Sequence, residues 1–297
     1  MLRGREVGAR SPAVMAIVNR TTDSFFAGAR QMDDGAALEA VARAVDDGAE
    51  IVDVGGVRAG TGEPVSVGEE IRRTVPFVAR VRAEFPDLLV SVDTWRSEVA
   101  REAVLAGADL VNDTWAGHDP RLVEVAAETG AGVVCSHTGG AVPRTDPFRV
   151  AYPLPSDAPD GTDPRDGVVL DVLATLVRGA ERARACGVRP ESILVDPTHD
   201  FGKNTWHSLH LVRSTQRLAE LGYPLLMALS RKDFVGETLG LPAEERLEGT
   251  LATTALAAWM GASVFRAHDV QATRRVLDMV SAVRGDLAPV RAVRGME

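Results

Sequence analysis

At 297 residues, with 45% hydrophobic and 25% charged residues, the chain has room for one large domain or two ordinary ones and the composition of a soluble globule. A net charge of −9 excludes a general binder of nucleic acid or anionic membrane, though a local basic pocket for a small anion is compatible with it. Cys135 and Cys186 read as reduced thiols, the start MLRGREVGARSPAV lacks an apolar signal core, and the apolar stretch Leu251 to Phe265 is interrupted by Thr253, Thr254, Gly261 and Ser263, so a cytoplasmic protein without a membrane span is expected.

Residues 1–12 carry no periodicity and are expected to be flexible. Apolar runs then predict strands at Val14–Val18, Ile51–Val54, Leu88–Val92, Leu110–Asn112, Gly132–Ser136, Ile193–Val195, Leu225–Leu229 and Ser263–Arg266. Helical spacing predicts helices at Ala36–Asp47, Val67–Phe85, Arg96–Ala106, Pro120–Thr129, Gly167–Cys186, Trp206–Leu221, Glu245–Met260 and Val270–Arg284. Four junctions share one cadence. Gly48-Ala49, Gly107-Ala108, Gly130-Ala131 and Gly261-Ala262 each open an apolar run that ends on polar side chains. Glycine releases a helix through a left-handed residue, and a short continuous apolar run reads as a strand buried on both faces.

Eight strands and eight helices in strict alternation over residues 13–284 predict a single-domain α/β fold, a (β/α)8 TIM barrel. An open doubly wound sheet is the alternative. Thr138 to Asp166 breaks the rhythm with Pro143, Pro147, Pro153, Pro155, Pro159 and Pro164, a long loop on the carboxyl rim after the fifth strand. Residues 285–297 are aperiodic and expected to be a flexible tail.

The strand ends carry Asn19, Asp53, Asp93, Asn112 with Asp113, His137, Asp196, Ser230-Arg231-Lys232, and Arg266 with His268-Asp269. Carboxylates accept paired hydrogen bonds from an amidine-like edge, whereas Arg, Lys and His⁺ hold an oxyanion. The set suits a flat nitrogenous ring in the barrel and an anionic group at its lip. Each residue also has a plainer reading. Asp93 and Asp269 stand where helix caps would, Asp196-Pro197 is ordinary turn chemistry, and His207 and His210 read as solvated helix histidines. His137 reads as a satisfied rim histidine. The cations at the last two strand ends are harder to dismiss, because they repel one another unless something negative lies between them.

Six motifs in order then resemble the dihydropteroate synthase family over Val14 to Arg284. Met15-Ala-Ile-Val-Asn-Arg-Thr-Thr-Asp-Ser-Phe25 is similar to the family's first-loop signature. Ser91-Val92-Asp93-Thr94, Val111-Asn112-Asp113, Phe201-Gly202-Lys203, Ser230-Arg231-Lys232 and Arg266-Ala267-His268-Asp269 are similar to later ones. The resemblance implies a pterin-binding barrel in which Asp93, Asn112, Asp196 and Lys232 hold the pterin. It also implies that Asn19, Arg266 and His268 face its pyrophosphate, with Mg²⁺ as cofactor beside Asn19. The implied reaction expels pyrophosphate from hydroxymethyl-dihydropterin pyrophosphate as the amine of p-aminobenzoate attacks, and the implied assembly is a homodimer.

The departures cluster in the rim loops. After the second strand, the family's Gly-Gly-Glu-Ser-Thr-Arg-Pro-Gly-Ala-Glu becomes the shorter Gly55-Gly56-Val57-Arg58-Ala59-Gly60-Thr61-Gly62-Glu63, so Arg58 and Thr61 mark an altered loop. Arg20 and Thr22 replace the usual valine and proline of the first loop. After the sixth strand, two glycines of Asp-Pro-Gly-x-Gly-Phe become Thr198 and Asp200, flanking His199, where the backbone calls for positive φ. Synthase activity is therefore expected to be weak or absent. A non-catalytic pterin- or phosphate-binding paralogue, or a transferase with another acceptor, is the alternative. A methyl-transferring folate barrel would have no pyrophosphate for Arg266 and His268, and a metal-dependent hydrolase barrel would want His-x-His where Val18-Asn19-Arg20 stands.

Overall fold

In the computed structural model, the residues described are 1–5, 7–20, 34–145 and 150–295. Eight parallel strands run in the order β6-β5-β4-β3-β2-β1-β8-β7. They are β1 (Ala13–Asn19), β2 (Ile51–Gly55), β3 (Leu89–Asp93), β4 (Leu110–Asp113), β5 (Gly132–Ser136), β6 (Ile193–Asp196), β7 (Leu226–Met227) and β8 (Val264–Ala267). A parallel bridge from Val195 to Leu225 joins β6 to β7 and closes the ring. This is the TIM barrel that the alternation predicts, and the open sheet is ruled out.

The helices outside it are α1 (Asp34–Asp46), α2 (Val67–Glu84), α3 (Ser97–Leu105), α4 (Leu122–Thr129), α5 (Gly167–Cys186), α6 (Thr205–Arg213), α7 (Thr215–Ala219), α8 (Asp233–Leu239), α9 (Leu247–Trp259) and α10 (Val270–Arg284). The helix count departs from the expected eight in two places. The segment expected to be one helix over Trp206–Leu221 breaks at Ser214, which leaves helical dihedrals (φ −99°, ψ 12°). Beside it the Thr215 hydroxyl donates to the Val212 carbonyl at 2.7 Å. A short extra helix, α8, follows β7 and stops at Gly240 (φ 69°). No helix among the described residues is long and apolar enough to cross a membrane.

Strand alternation splits the core in two. Val14, Val52, Val90 and Val111 point outward to the helices, where Phe77, Leu122, Leu176 and Phe234 meet them. Met15, Ile51, Leu89, Leu110, Val134, Leu194, Leu226 and Val264 point inward and fill the lower barrel. The amino-terminal residues, expected to hang loose, close that lower end. Leu2 and Val7 join the inner cluster, and Ser192 donates to the Met1 carbonyl at 2.8 Å.

Two residues further along each strand, the same inward parity places Asp53, Ser91, Asn112, Ser136, Asp196 and Arg266 above the apolar layer. One step beyond them, Asn19, Gly55 and Asp93 reach the mouth. The polar layer thus follows from the period of a strand. It rests on a floor of buried apolar side chains.

Candidate ligand site at the barrel mouth

The centre of the polar layer is Asp53, fully buried. Its carboxylate accepts from Ser91 Oγ at 2.6 Å, Asn112 Nδ2 at 3.1 Å and Arg266 Nε at 2.6 Å. Arg266 also donates from Nη2 to Asp93 at 2.9 Å, and Thr114 Oγ1 donates to the other Asp93 oxygen at 2.6 Å. Burial pushes the Asp93 carboxyl up to about 6; Arg266 opposes that rise and the Asp53 charge adds to it. Asp53 can only accept hydrogen bonds, so Asn112 must turn its amide nitrogen toward it. That leaves Asn112 Oδ1 buried with no hydrogen-bond partner among the described residues.

On the opposite arc, Asp196 accepts from the Thr198 backbone N–H at 2.7 Å. Lys232 lies 4.6 Å above the Phe201 ring. Burial lowers the Lys232 pKa, while Asp200 and then Asp196 pull it back up. Lys203 is fully enclosed and donates to the carbonyls of His137 (2.9 Å), Thr198 (3.0 Å) and Phe201 (2.8 Å), which pins the β6–α6 loop to the end of β5. Burial takes its pKa down to about 7. His268 is held at 2.9 Å by Ser230 Oγ, and its packed surroundings, followed by the Arg266 charge, lower its pKa.

The three cations at the ends of β7 and β8 are therefore balanced from within the chain. Arg231 grips both oxygens of Asp269 at 2.9 Å, Lys232 faces Asp200 and Asp196, and Arg266 spans Asp53 and Asp93. The negative charge the sequence calls for is supplied by carboxylates. An anion arriving at Arg266 must compete with two of them.

The altered loops show how the departures are accommodated. Thr198 (φ 51°) and Asp200 (φ 69°) keep the left-handed backbone where the family carries glycine. A β-branched residue there is strained by about 1–2 kcal/mol. Between them His199 is fully buried against Phe234, with both ring nitrogens unpartnered. Asp200 accepts from the Asp233 backbone N–H at 2.7 Å at the start of α8. Arg20 stacks on Phe77 at 4.8 Å and donates its backbone N–H to Gly55, whereas Thr61 is exposed and Thr22 lies outside the described residues. Asn19 stands beside Gly55, where a Cβ would lie 3.5 Å from its Oδ1 and 3.6 Å from Asp93 Cβ.

No group of three His, Cys, Asp or Glu among the described residues could hold a metal ion. The Asp53 and Asp93 oxygens already receive Ser91, Asn112, Thr114 and Arg266. The described residues do not by themselves build a site for Mg²⁺, and no step is derived through it.

Several residues elsewhere have structural roles. His137 pairs with Asp171 at 2.7 Å at the end of a separate outer groove of about 790 Å³. His210 binds Asp166, His207 completes the Asn204 capping box, and Asp113 caps the turn at Trp115 and Gly117. Sequence reasoning placed Asp53 in the rim set without a specific contact, named Ser91 and Lys203 only within motifs, and missed Thr114. For Asp53 and Ser91 the signal was the inward parity of β2 and β3. For Thr114 and Lys203, both in loops, no such signal exists.

The sequence profile of the pterin binding enzyme family matches residues 15–268. The chain is 58% identical over 296 residues to the inactive dihydropteroate synthase 2 of Mycobacterium leprae, covering 100% of this chain and 99% of that one. Among solved structures, it is similar to the Yersinia pestis dihydropteroate synthase in complex with a sulfonamide drug (TM-score 0.84, 32% identity, 96% and 98% of the two chains). It is also similar to the Xanthomonas albilineans dihydropteroate synthase with 4-aminobenzoic acid (TM-score 0.78, 37% identity, 93% and 94%). With the barrel, the acceptor-rich mouth and this similarity together, the chain belongs to the pterin-binding enzyme family as a homologue of dihydropteroate synthase.

Proposed function

We propose that this protein binds a pterin at the barrel mouth and catalyses dihydropteroate formation weakly or not at all. The observation that carries the reading is the orphaned Asn112 Oδ1, buried between Asp93 and Asp196. A pterin's amino-pyrimidinone edge presents N–H donors, and a buried unsatisfied acceptor costs about 1–3 kcal/mol until one arrives. Asp93 and Asp196 supply flanking acceptors, and Lys232 supplies a donor for a ring nitrogen or carbonyl. The pyrophosphate of the pterin substrate would lie toward Asn19, Arg266 and His268, and Mg²⁺ would come with it.

The weak-activity part rests on the mouth's loops and draws support from the relative named inactive. Synthase chemistry with p-aminobenzoate needs loops that close, exclude water and position the amine. Here the β2–α2 loop lacks the Ser-Thr-Arg-Pro run, and Asp200, which stands where the family carries glycine, adds a carboxylate charge near Lys232. We further propose a cytoplasmic homodimer. Leu256 and Trp259 on α9, and Met279 and Val283 on the neighbouring α10, are each more than half exposed and suit a second copy of the chain.

The test is titration with 6-hydroxymethyl-7,8-dihydropterin and with its pyrophosphate, using wild type, Asn112→Leu and Asp196→Asn. Wild type is expected to bind, and each variant to lose roughly ten- to a hundredfold in affinity. Absence of binding by folded wild type overturns the reading.

A further inference from the structure

The loop after β2 is held by arginines from three other parts of the chain. Arg73 of α2 donates to the Gly56 carbonyl at 3.2 Å, and Arg96 donates to Val65 at 2.8 Å. Between those ends, Arg144 of the long β5–α5 loop reaches across. Its Nη1 donates to the Arg58 carbonyl at 2.7 Å and its Nη2 to the Glu63 carbonyl at 2.8 Å. One planar fork therefore spans the bow of the second loop, a geometry that a lysine ammonium cannot reproduce.

Both partners are shaped for this contact. Arg144 is presented by the Val142–Thr145 turn with φ 68°. A Cβ on Gly62 would lie 2.7 Å from Arg144 Nη2, so the end of the guanidinium would have to shift to make room for one. The base of the same long loop is tied to the loop after β6. Tyr152 Oη donates to the Gly202 carbonyl at 2.6 Å, and Lys203 donates to the His137 carbonyl. Loops after β2, β5 and β6 thus form one connected piece. β2 and β5 are separated in the ring by β3 and β4, the strands that carry Asp93 and Asn112.

We propose that Arg144 is a latch: it makes residues 137–145 and the β2–α2 loop a single flap over the Asp93–Asn112 arc, and the flap sets the rate at which a ligand leaves that arc. The second clause rests on the pterin reading. The first does not.

Hydrogen exchange on the ligand-free full-length protein tests the latch. In Arg144→Ala, amides of residues 57–64 are expected to exchange roughly ten- to a hundredfold faster, the ratio two hydrogen bonds supply, with barrel-strand amides unchanged. Arg144→Lys should give most of the same increase. Unchanged exchange at 57–64 in Arg144→Ala overturns the proposal. Stopped-flow release of 6-hydroxymethylpterin, followed by its own fluorescence, tests the gate. Release should accelerate in Arg144→Ala, with association accelerating alongside it. Equal release rates overturn the gate, while failure of wild type to bind the pterin overturns the pterin reading and leaves the exchange result to decide the latch.

Discussion

Replacing Arg266 by methionine probes the polar layer most directly, because one guanidinium holds two carboxylates at once. Arg266 lies 2.6 Å from Asp53 and 2.9 Å from Asp93. Removing one partner of a buried ion pair costs about 3–5 kcal/mol. Two carboxylates lose their cation here, which points to the upper part of that range. Protonation limits the damage. Asp93 already titrates near 6, and without Arg266 both burial and Asp53 push it higher. In the variant the native state therefore binds a proton that the unfolded chain has released. Its stability falls as pH rises through and above that range, by about 1.4 kcal/mol for each unit of added shift. The penalty should be about 4–5 kcal/mol near pH 8 and smaller by about 1–3 kcal/mol near pH 5. Urea denaturation at both pH values, followed by the fluorescence of Trp95 and Trp115, reads this difference. A penalty below about 1 kcal/mol, or one independent of pH, refutes the charge account.

Other sites make separate predictions. His199→Leu removes two buried unpartnered nitrogens beside Phe234 and should stabilise the protein by about 1–3 kcal/mol in denaturant. Burial holds the His199 pKa well below 6.5, so the unfolded chain takes up a proton first and wild-type stability is lost as pH falls through that value. His199→Leu should flatten this loss, and a less stable variant contradicts the reading. Leu256→Glu with Met279→Glu should convert a dimer to a monomer by light scattering; a monomeric wild type, or an unchanged dimer, argues against that face. Restoring Ser-Thr-Arg-Pro between Gly56 and Glu63 should raise pyrophosphate release. No rise in a variant that still binds pterin would place the defect outside this loop.

The barrel was legible in the sequence because its signals are local. Each Gly-Ala junction pairs a left-handed helix exit with a strand core, and all eight expected strands are present, although β7 is shortened to Leu226–Met227. The positive φ expected after β6 is there too, carried by Thr198 and Asp200. What escaped the sequence is what depends on closure of the ring. Asp53 and Arg266 are 213 residues apart and become neighbours only when β8 returns beside β1. Read along the chain, the cations of the last two strands called for an external anion, whereas the fold brings Asp53, Asp93, Asp196, Asp200 and Asp269 to them. Arg144 escaped for the same reason: an arginine in a proline-rich loop carries no periodic signal of the carbonyls it will meet.

The central claim is a pterin floor retained under a mouth that no longer drives condensation. Its most direct test is a single reaction series. The protein is saturated with hydroxymethyl-dihydropterin pyrophosphate and Mg²⁺, p-aminobenzoate is added, and pyrophosphate release is followed alongside pterin binding. The account predicts a saturable pterin signal with release at or near the rate without enzyme. Turnover at about 1 s⁻¹ or faster, as in ordinary enzymes, would contradict it.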